Sequence, residues 1–247
     1  MTIFTFAWII IGIAIFPVLL RVTAPYGRHT SQSWGPLIPN RAGWIVMELP
    51  ALVIMPALFV LGNSPKTPVS WIFPALWILH YVNRTILFPL RTHTKGKEMP
   101  LLIVVFAIFF NMANGAINGT YFGSHAAAYR TEWLADPRFI GGMILFLGGM
   151  GINWHSDNIL LHLRKPGETG YKIPYGGFFR YVSCPNLLGE IIEWTGFAVL
   201  TWSLAGFSFA LWTAINLIPR ALDHHKWYLS HFPDYPKNRK AIIPHML

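Results

Sequence analysis

The chain has 247 residues, 53% of them hydrophobic and only 12% charged, which excludes a soluble domain with a charged, amphipathic surface. Its formal charge of +9 sits in loops and not in a basic stripe interleaved with aromatics, so nucleic acid is excluded and membrane lipid or an anionic cofactor is the expected counterpart. The single Cys184 excludes an internal disulfide framework and thiol-based zinc sites.

A membrane-spanning helix needs about 20 mostly apolar residues. Runs of that kind recur from end to end, and the expected fold class is all-α: a polytopic integral membrane protein of seven helices near 2–20, 43–62, 69–90, 100–121, 140–161, 187–204 and 206–217, forming one domain over 1–247. The first run is longer than a signal-peptide core and lacks a basic n-region, so it reads as a retained helix. Cytoplasmic loops retain positive charge, and the Lys and Arg residues sort accordingly. One set holds Arg21, Arg28 and Arg41, then Arg91, Lys95 and Lys97, then Arg164, Lys165, Lys172 and Arg180, then Arg220, Lys226, Lys237, Arg239 and Lys240. The other holds Lys66, Arg130 and Arg138, with Arg84 inside a helix. The N-terminus is therefore expected outside and the C-terminus in the cytoplasm, of a bacterial inner membrane or an endoplasmic reticulum. Six helices would put the basic tail on the wrong side, so the short seventh, ending at Pro219-Arg220, is required.

Ionisable groups at bilayer depth cost roughly 2.5 kcal/mol or more and need a purpose. In the second helix Glu48 lies two residues before Pro50, with Trp44 one turn earlier and Met47 adjacent. A carboxyl in apolar surroundings favours its neutral form, which can donate a hydrogen bond to a carbonyl. In the third helix Tyr81 and Arg84 share a face, and a buried phenol needs a partner. The fourth carries Asn111, Asn114 and Asn118 among Gly115 and Gly119, a pattern that suits close helix packing at least as well as ligand binding. The fifth places Asn153 and Asp157 four apart, with Arg164 seven beyond; the sixth places Asn186, Glu190 and Glu193 on one face, with Trp194 beside them. The long loop 162–185 is shaped by Pro174, Gly176 and Gly177 and is too long for a simple connector. The tail from Arg220 through His224 and His225 to Tyr228 is rich in groups that bind phosphates or stack on rings. There is no His-Glu-x-x-His pair and no set of spaced His boxes, so no metal is expected. No G-x-G-x-x-G follows a strand, so a dinucleotide would be held by something other than a Rossmann domain.

Several long blocks now become specific: Gly151-Ile-Asn-Trp-His-Ser-Asp157, Leu163-Arg-Lys-Pro-Gly-Glu168, Ile173-Pro-Tyr-Gly-Gly-Phe-Phe-Arg-Tyr-Val-Ser183, Asn186-Leu-Leu-Gly-Glu-Ile-Ile-Glu-Trp194 and Asp234-Tyr-Pro-Lys-Asn-Arg-Lys-Ala-Ile-Ile-Pro244. Together they strongly resemble the steroid 5-alpha-reductases, from about residue 40 to the C-terminus. The resemblance implies a seven-helix enzyme that reduces the carbon 4–5 double bond of a 3-oxo-4-ene steroid with NADPH. It implies Glu48 and Tyr81 as the catalytic pair, in Met47-Glu-Leu-Pro50 and His80-Tyr-Val-Asn-Arg-Thr85. It implies Asn153, Asp157, Arg164, Tyr171, Lys172, Asn186, Glu190, Arg220, His224 and Tyr228 as the cofactor site. Trp44, Met47, Asn114 and Trp194 are the candidate substrate contacts. One position departs from the family: Gln commonly precedes the catalytic Glu, and this chain has Met47, so the family's hydrogen-bonding contact to substrate is not carried over here and a different specificity is expected. The expected partners are a steroid or related enone lipid and the surrounding membrane lipid, with no obligate protein partner. The competing enzyme class is an S-adenosylmethionine-dependent membrane methyltransferase of the isoprenylcysteine or phospholipid type, which resembles the family in its late helices but gives no role to Glu48 and Tyr81. A transporter would show repeated halves, and none is evident.

Overall fold

The computed structural model describes residues 2–92, 96–164, 168 and 170–247; Lys95 and Lys165 of the basic loops lie outside them. The protein is mostly helical, with α1 Thr2–Leu19, α2 Asn40–Leu61, α3 Ile72–Val82, α4 Phe88–Arg91, α5 Leu101–His125, α6 Pro137–Leu161, α7 Pro185–Thr201 and α8 Leu204–His231, and one short ribbon of β1 Leu37–Pro39 with β2 Glu98–Pro100. Among the described residues, three stretches are long and apolar enough to cross a membrane: Thr2–Leu19, Asn40–Leu61 and Leu101–Ala128. The chain folds into two compact units.

The first unit takes in residues 1–8, 24–140 and 203–205. Its ribbon is antiparallel, with Ile38 opposite Met99. α2 and α5 run parallel, because Gly115, Gly119 and Gly123 on α5 meet Ile54, Met55 and Leu58 on α2 in the same order. Their contact is lined by Gly115, Gly119 and Gly123, one turn apart on α5. A Cβ at Gly119 would lie 2.6 Å from the Met55 carbonyl, and one at Gly123 2.6 Å from the Leu58 carbonyl. Only hydrogen at these positions permits the approach, which is how helices associate where lipid removes the hydrophobic drive. At the far end Lys66 Nζ donates to the Gly62 and Gly123 carbonyls at 2.7 and 3.2 Å, closing both helix C-termini with one cation.

The third expected helix, 69–90, is helical but not uniform. Asn83–Leu87 forms one wide π-turn between α3 and α4, with the Phe88 amide donating to the Asn83 carbonyl five residues back. In that frame the Arg84 carbonyl should receive the amide of residue 89, and Pro89 has none. Trp44 Nε1 takes its place at 3.0 Å. Such turns frequently mark functional sites.

The second unit takes in residues 9–23, 141–202 and 206–247. Here Gly142 meets Gly196, and Gly149 meets Gly189, with Cβ positions 2.7 and 2.5 Å from the opposing carbonyls. The glycines are seven apart on each helix and pair in opposite order, so α6 and α7 are antiparallel. Trp202, at φ 43° and ψ 46°, ends α7 in the left-handed conformation. The next helix differs from the expected 206–217. It does not stop at Pro219 but continues to His231. One proline deletes a single amide donor, and tertiary packing outweighs that loss: Ala221, fully buried, packs with Cys184 and Ile242 beyond the proline. The C-terminal strand-like segment supports this packing, since Ser183 N donates to the Lys240 carbonyl and Cys184 N to that of Ala241.

The seam in the second unit makes a paired prediction. Gly142→Ala puts a methyl 2.3 Å from the Leu200 amide nitrogen, whereas the adjacent Gly141 has open space around it. Gly142→Ala is expected to destabilise by about 1–3 kcal/mol and Gly141→Ala to be neutral or stabilising by up to about 1 kcal/mol, as read from melting temperatures in detergent; equal melting temperatures would contradict the seam.

Candidate active site

In the first unit, Trp44, Glu48 and Ala51 share one face of α2, and Trp77, Tyr81 and Arg84 share one face of α3 and its π-turn. Two indole hydrogen bonds join these faces: Trp77 Nε1 to the Ala51 carbonyl at 2.9 Å and Trp44 Nε1 to the Arg84 carbonyl at 3.0 Å. The ties are seven residues apart on each helical element and run in opposite order. Glu48 and Tyr81 therefore fall at the same level between them, to within about one residue's 1.5 Å rise. Tyr81 is buried, its ring against Trp77 and His80 with centroids 5.1 and 5.0 Å away. Arg84 lies over Trp44 at 5.0 Å and Phe88 at 5.4 Å.

The remaining first-unit candidates are placed as follows. Met47 points into an apolar cluster with Met99 and Val104, so its side chain gives Glu48 no polar support. Asn114 Oδ1 accepts from Trp8 Nε1 at 3.1 Å, and its Nδ2 donates to the Phe110 carbonyl. Asn111, which the sequence offered as a packing residue, donates to the Met47 carbonyl and to Glu48 Oε2.

In the second unit the α6/α7 seam opens into a polar ladder. Asn153 Nδ2 donates to the Asn186 carbonyl at 2.9 Å, and Asn186 Nδ2 to Asp157 Oδ1 at 3.0 Å. Asn153 Oδ1 and the neighbouring Ser156 Oγ are buried atoms without a hydrogen-bond partner. Buried polar atoms cost free energy unless paired, so these two suit a ligand rich in hydroxyl and amide donors, as a nicotinamide dinucleotide is. Glu190 lies one turn past Asn186 on the same face of α7. Trp194 is placed differently: it is buried in an aromatic cluster with Phe146, Phe197 and Phe209, the last at 4.4 Å.

The basic and aromatic candidates lie on the loop and α8. Arg164 donates to the Gly170 carbonyl at 3.1 Å and sits 5.9 Å from the Tyr171 ring, which packs edge-on to Trp227 at 4.9 Å. Lys172 pairs with Glu168. Arg220, His224 and Tyr228 are spaced by four on one face of α8, with Arg220 and Tyr228 buried. Tyr228 stacks on Tyr235 at 5.0 Å, and Tyr235 Oη lies 2.6 Å from Ser183 Oγ, itself 2.7 Å from His225 Nδ1. Arg239 covers Tyr235 and Tyr175. Ser183, Tyr235 and Arg239 carry no signal of their own in the sequence; nothing in their spacing announces that they meet. Among the described residues no group of three or more His, Cys, Asp or Glu could hold a metal.

These features define a helical, membrane-type enzyme with an acid–phenol pair in one unit and a polar, ring-lined cluster in the other. The family model described as 3-oxo-5-alpha-steroid 4-dehydrogenase matches residues 97–247. The chain is 44% identical to 3-oxo-5-alpha-steroid 4-dehydrogenase 1 of Homo sapiens, over 95% of this chain and 90% of that protein. It is 46% identical to the Mus musculus protein of the same name, over 94% and 91%, and 42% identical to steroid 5-alpha-reductase DET2 of Gossypium hirsutum, over 95% and 93%. The chain belongs to the 3-oxo-5-alpha-steroid 4-dehydrogenase family, and is an oxidoreductase acting on a CH–CH group.

His225 provides a pH prediction. Burial, and then the nearby Lys240 charge, hold its pKa below the usual 6.5. The folded state thus prefers neutral histidine. Its contribution is complete above pH 6.5 and is lost as pH falls from there through the lowered folded value. The melting temperature is expected to drop on acidification from pH 7.5 to 5.5, and His225→Asn to flatten that dependence; an unchanged slope would remove His225 as the cause.

Proposed function

We propose that this chain is a seven-helix membrane reductase, N-terminus outside and C-terminus cytoplasmic, forming one reductase domain that converts 3-oxo-4-ene steroids into 5-alpha-reduced 3-oxo steroids with NADPH. The observation that carries the proposal is the level placement of Glu48 and Tyr81 on facing stripes of α2 and α3. NADPH supplies the hydride that adds to carbon 5. As that carbon is attacked, charge develops on the 3-carbonyl oxygen, where neutral Glu48 and the Tyr81 phenol donate to it, and a proton from water then adds to carbon 4. Donors fixed where charge develops need no reorganisation, and each contributes roughly 3–4 kcal/mol in comparable sites. Trp44 contributes a ring beside the acid–phenol pair, while Met47, Asn114 and Trp194 are committed to packing and hydrogen bonds within their own units. Arg164, Lys172 and Arg220 meet phosphates, Asn153, Asp157, Asn186 and Glu190 meet hydroxyl and amide donors, and Tyr171, His224 and Tyr228 supply rings and further polar contacts. The orphaned Asn153 Oδ1 supports this assignment. The host is a bacterial inner membrane or an endoplasmic reticulum.

The direct test is anaerobic incubation of purified protein with NADPH and a panel of 3-oxo-4-ene steroids, scoring a mass gain of two hydrogens and the configuration at carbon 5. Stabilisation in detergent by S-adenosylmethionine and not by NADPH would overturn the assignment. Glu48→Gln and Tyr81→Phe are each expected to lower kcat by about 100-fold or more with NADPH affinity little changed. Arg164→Ala is expected to do the reverse, weakening NADPH binding by about tenfold or more while the chemical step at saturation persists.

A further inference from the structure

The polar groups of the first unit are not all explained by an acid–phenol pair, and the exception is Asn111. It is 4% exposed, at the depth of the site. It lies four residues before Gly115, on the same face as the glycines that bring α5 against α2. Where the backbones are held so close, a side chain as short as asparagine reaches across to the partner helix. Asn111 Nδ2 lies 2.7 Å from the Met47 carbonyl oxygen and 3.3 Å from Glu48 Oε2. A backbone carbonyl only accepts, so the amide nitrogen must face it, and this fixes the amide's orientation. Both Nδ2 hydrogens are then used, one on the main chain of α2 and one on the carboxyl.

That arrangement has a chemical consequence for Glu48. A neutral carboxylic acid has one carbonyl oxygen, the better acceptor, and one hydroxyl, the only donor. An N–H directed at Oε2 favours Oε2 as the carbonyl oxygen and Oε1 as the hydroxyl. We propose that Asn111 is the positioning residue of Glu48: anchored on the Met47 carbonyl, it holds Oε2 as the acceptor and so keeps the acid proton on Oε1, the oxygen that donates to the substrate carbonyl. This rests on Glu48 serving as the acid. It also gives the Met47 position a meaning, because the apolar Met47 side chain turns away into its cluster and the polar support of Glu48 comes instead from another helix. A second feature keeps the amide in place. One turn on, Asn114 Oδ1 accepts from Trp8 Nε1 while its Nδ2 is bonded to the Phe110 carbonyl, so the neighbouring amide has no need to compete for Glu48.

Glycine packing alone would not require an amide at position 111. An aliphatic residue would fill the space, and removing it would alter stability without selecting among kinetic parameters. A positioning residue acts through Glu48 and nowhere else. The experiment therefore compares Asn111→Leu, which keeps the branched shape without the amide, and Asn111→Ala, which cannot clash, each alone and combined with Glu48→Gln. NADPH-dependent stabilisation in detergent shows that each variant is folded and binds cofactor. Both single variants are expected to lower kcat by about 10- to 100-fold, the worth of one hydrogen bond to a charged or reacting group, with KM for NADPH within about twofold of the parent. In the Glu48→Gln background the same changes are expected to cost less than about threefold, because their target is gone. If Glu48→Gln abolishes turnover while both Asn111 variants retain it, or if the Asn111 penalty persists undiminished in the Glu48→Gln background, the positioning role is overturned and the acid role of Glu48 stands. If Glu48→Gln itself retains parental turnover, the reading beneath the proposal fails with it.

Discussion

Close approach of helix backbones at glycine is the constraint on which both units depend. In lipid an apolar side chain gains nothing by turning from solvent to protein, so helices associate through packing and through polar groups they can share. In the first unit the glycines at 115, 119 and 123 bring α5 onto α2, and in the second those at 142, 149, 189 and 196 bring α6 onto α7. Each seam then runs, at the next turn of the same face, into an asparagine: Asn111 before Gly115, Asn153 after Gly149, Asn186 before Gly189. Where the backbones are nearest, the shortest side-chain amide is long enough to reach the opposite helix. Asn111 and Asn153 both donate to a main-chain carbonyl of the partner helix.

The chemistry of the two units diverges from that common device. In the first, the amide also serves a single carboxyl, Glu48, at the level of a buried phenol, a combination suited to donating protons or hydrogen bonds to one oxygen. In the second, Asn186 serves Asp157, with Glu190 one turn on, and Arg164, Lys172 and Arg220 belong to the same unit. A unit that carries acids, amides and cations together suits a large ligand with hydroxyls, an amide and phosphates. A bilayer tolerates neither set without a purpose, which is why polar residues inside apolar runs point to chemistry from the amino-acid order alone.

Helix positions were legible because bilayer thickness fixes element length, and six of the seven expected runs agree with helices to within a few residues. What was not legible depended on partners distant in sequence. Pro219 reads as a stop because the local rule is sound; the helix passes it because Ala221 is buried against Cys184 and Ile242, contacts no local pattern announces. Asn111 reads as packing because asparagine beside glycine usually is packing, and its second role requires knowing that Met47 and Glu48 lie across the seam. The Ser183, His225 and Tyr235 cluster joins a loop, a helix and the tail, and no periodicity connects those three.

Indole donors tie the first unit together: Trp8, Trp44 and Trp77 each donate a hydrogen bond to an interior acceptor. An unmet carbonyl costs several kcal/mol where no water can reach it, and Pro89 creates such a carbonyl at Arg84. Trp44 meets it, and by doing so fixes the π-turn three residues beyond Tyr81 to the α2 face that carries Glu48. The same bond limits what Trp44 can offer a substrate. Its only hydrogen-bond donor is already committed, and the Arg84 guanidinium stands over its ring. Under the proposed function, selection on the Trp44 side of the site would work by the shape of an apolar ring surface, and hydrogen-bond recognition of the substrate would fall to Glu48 and Tyr81.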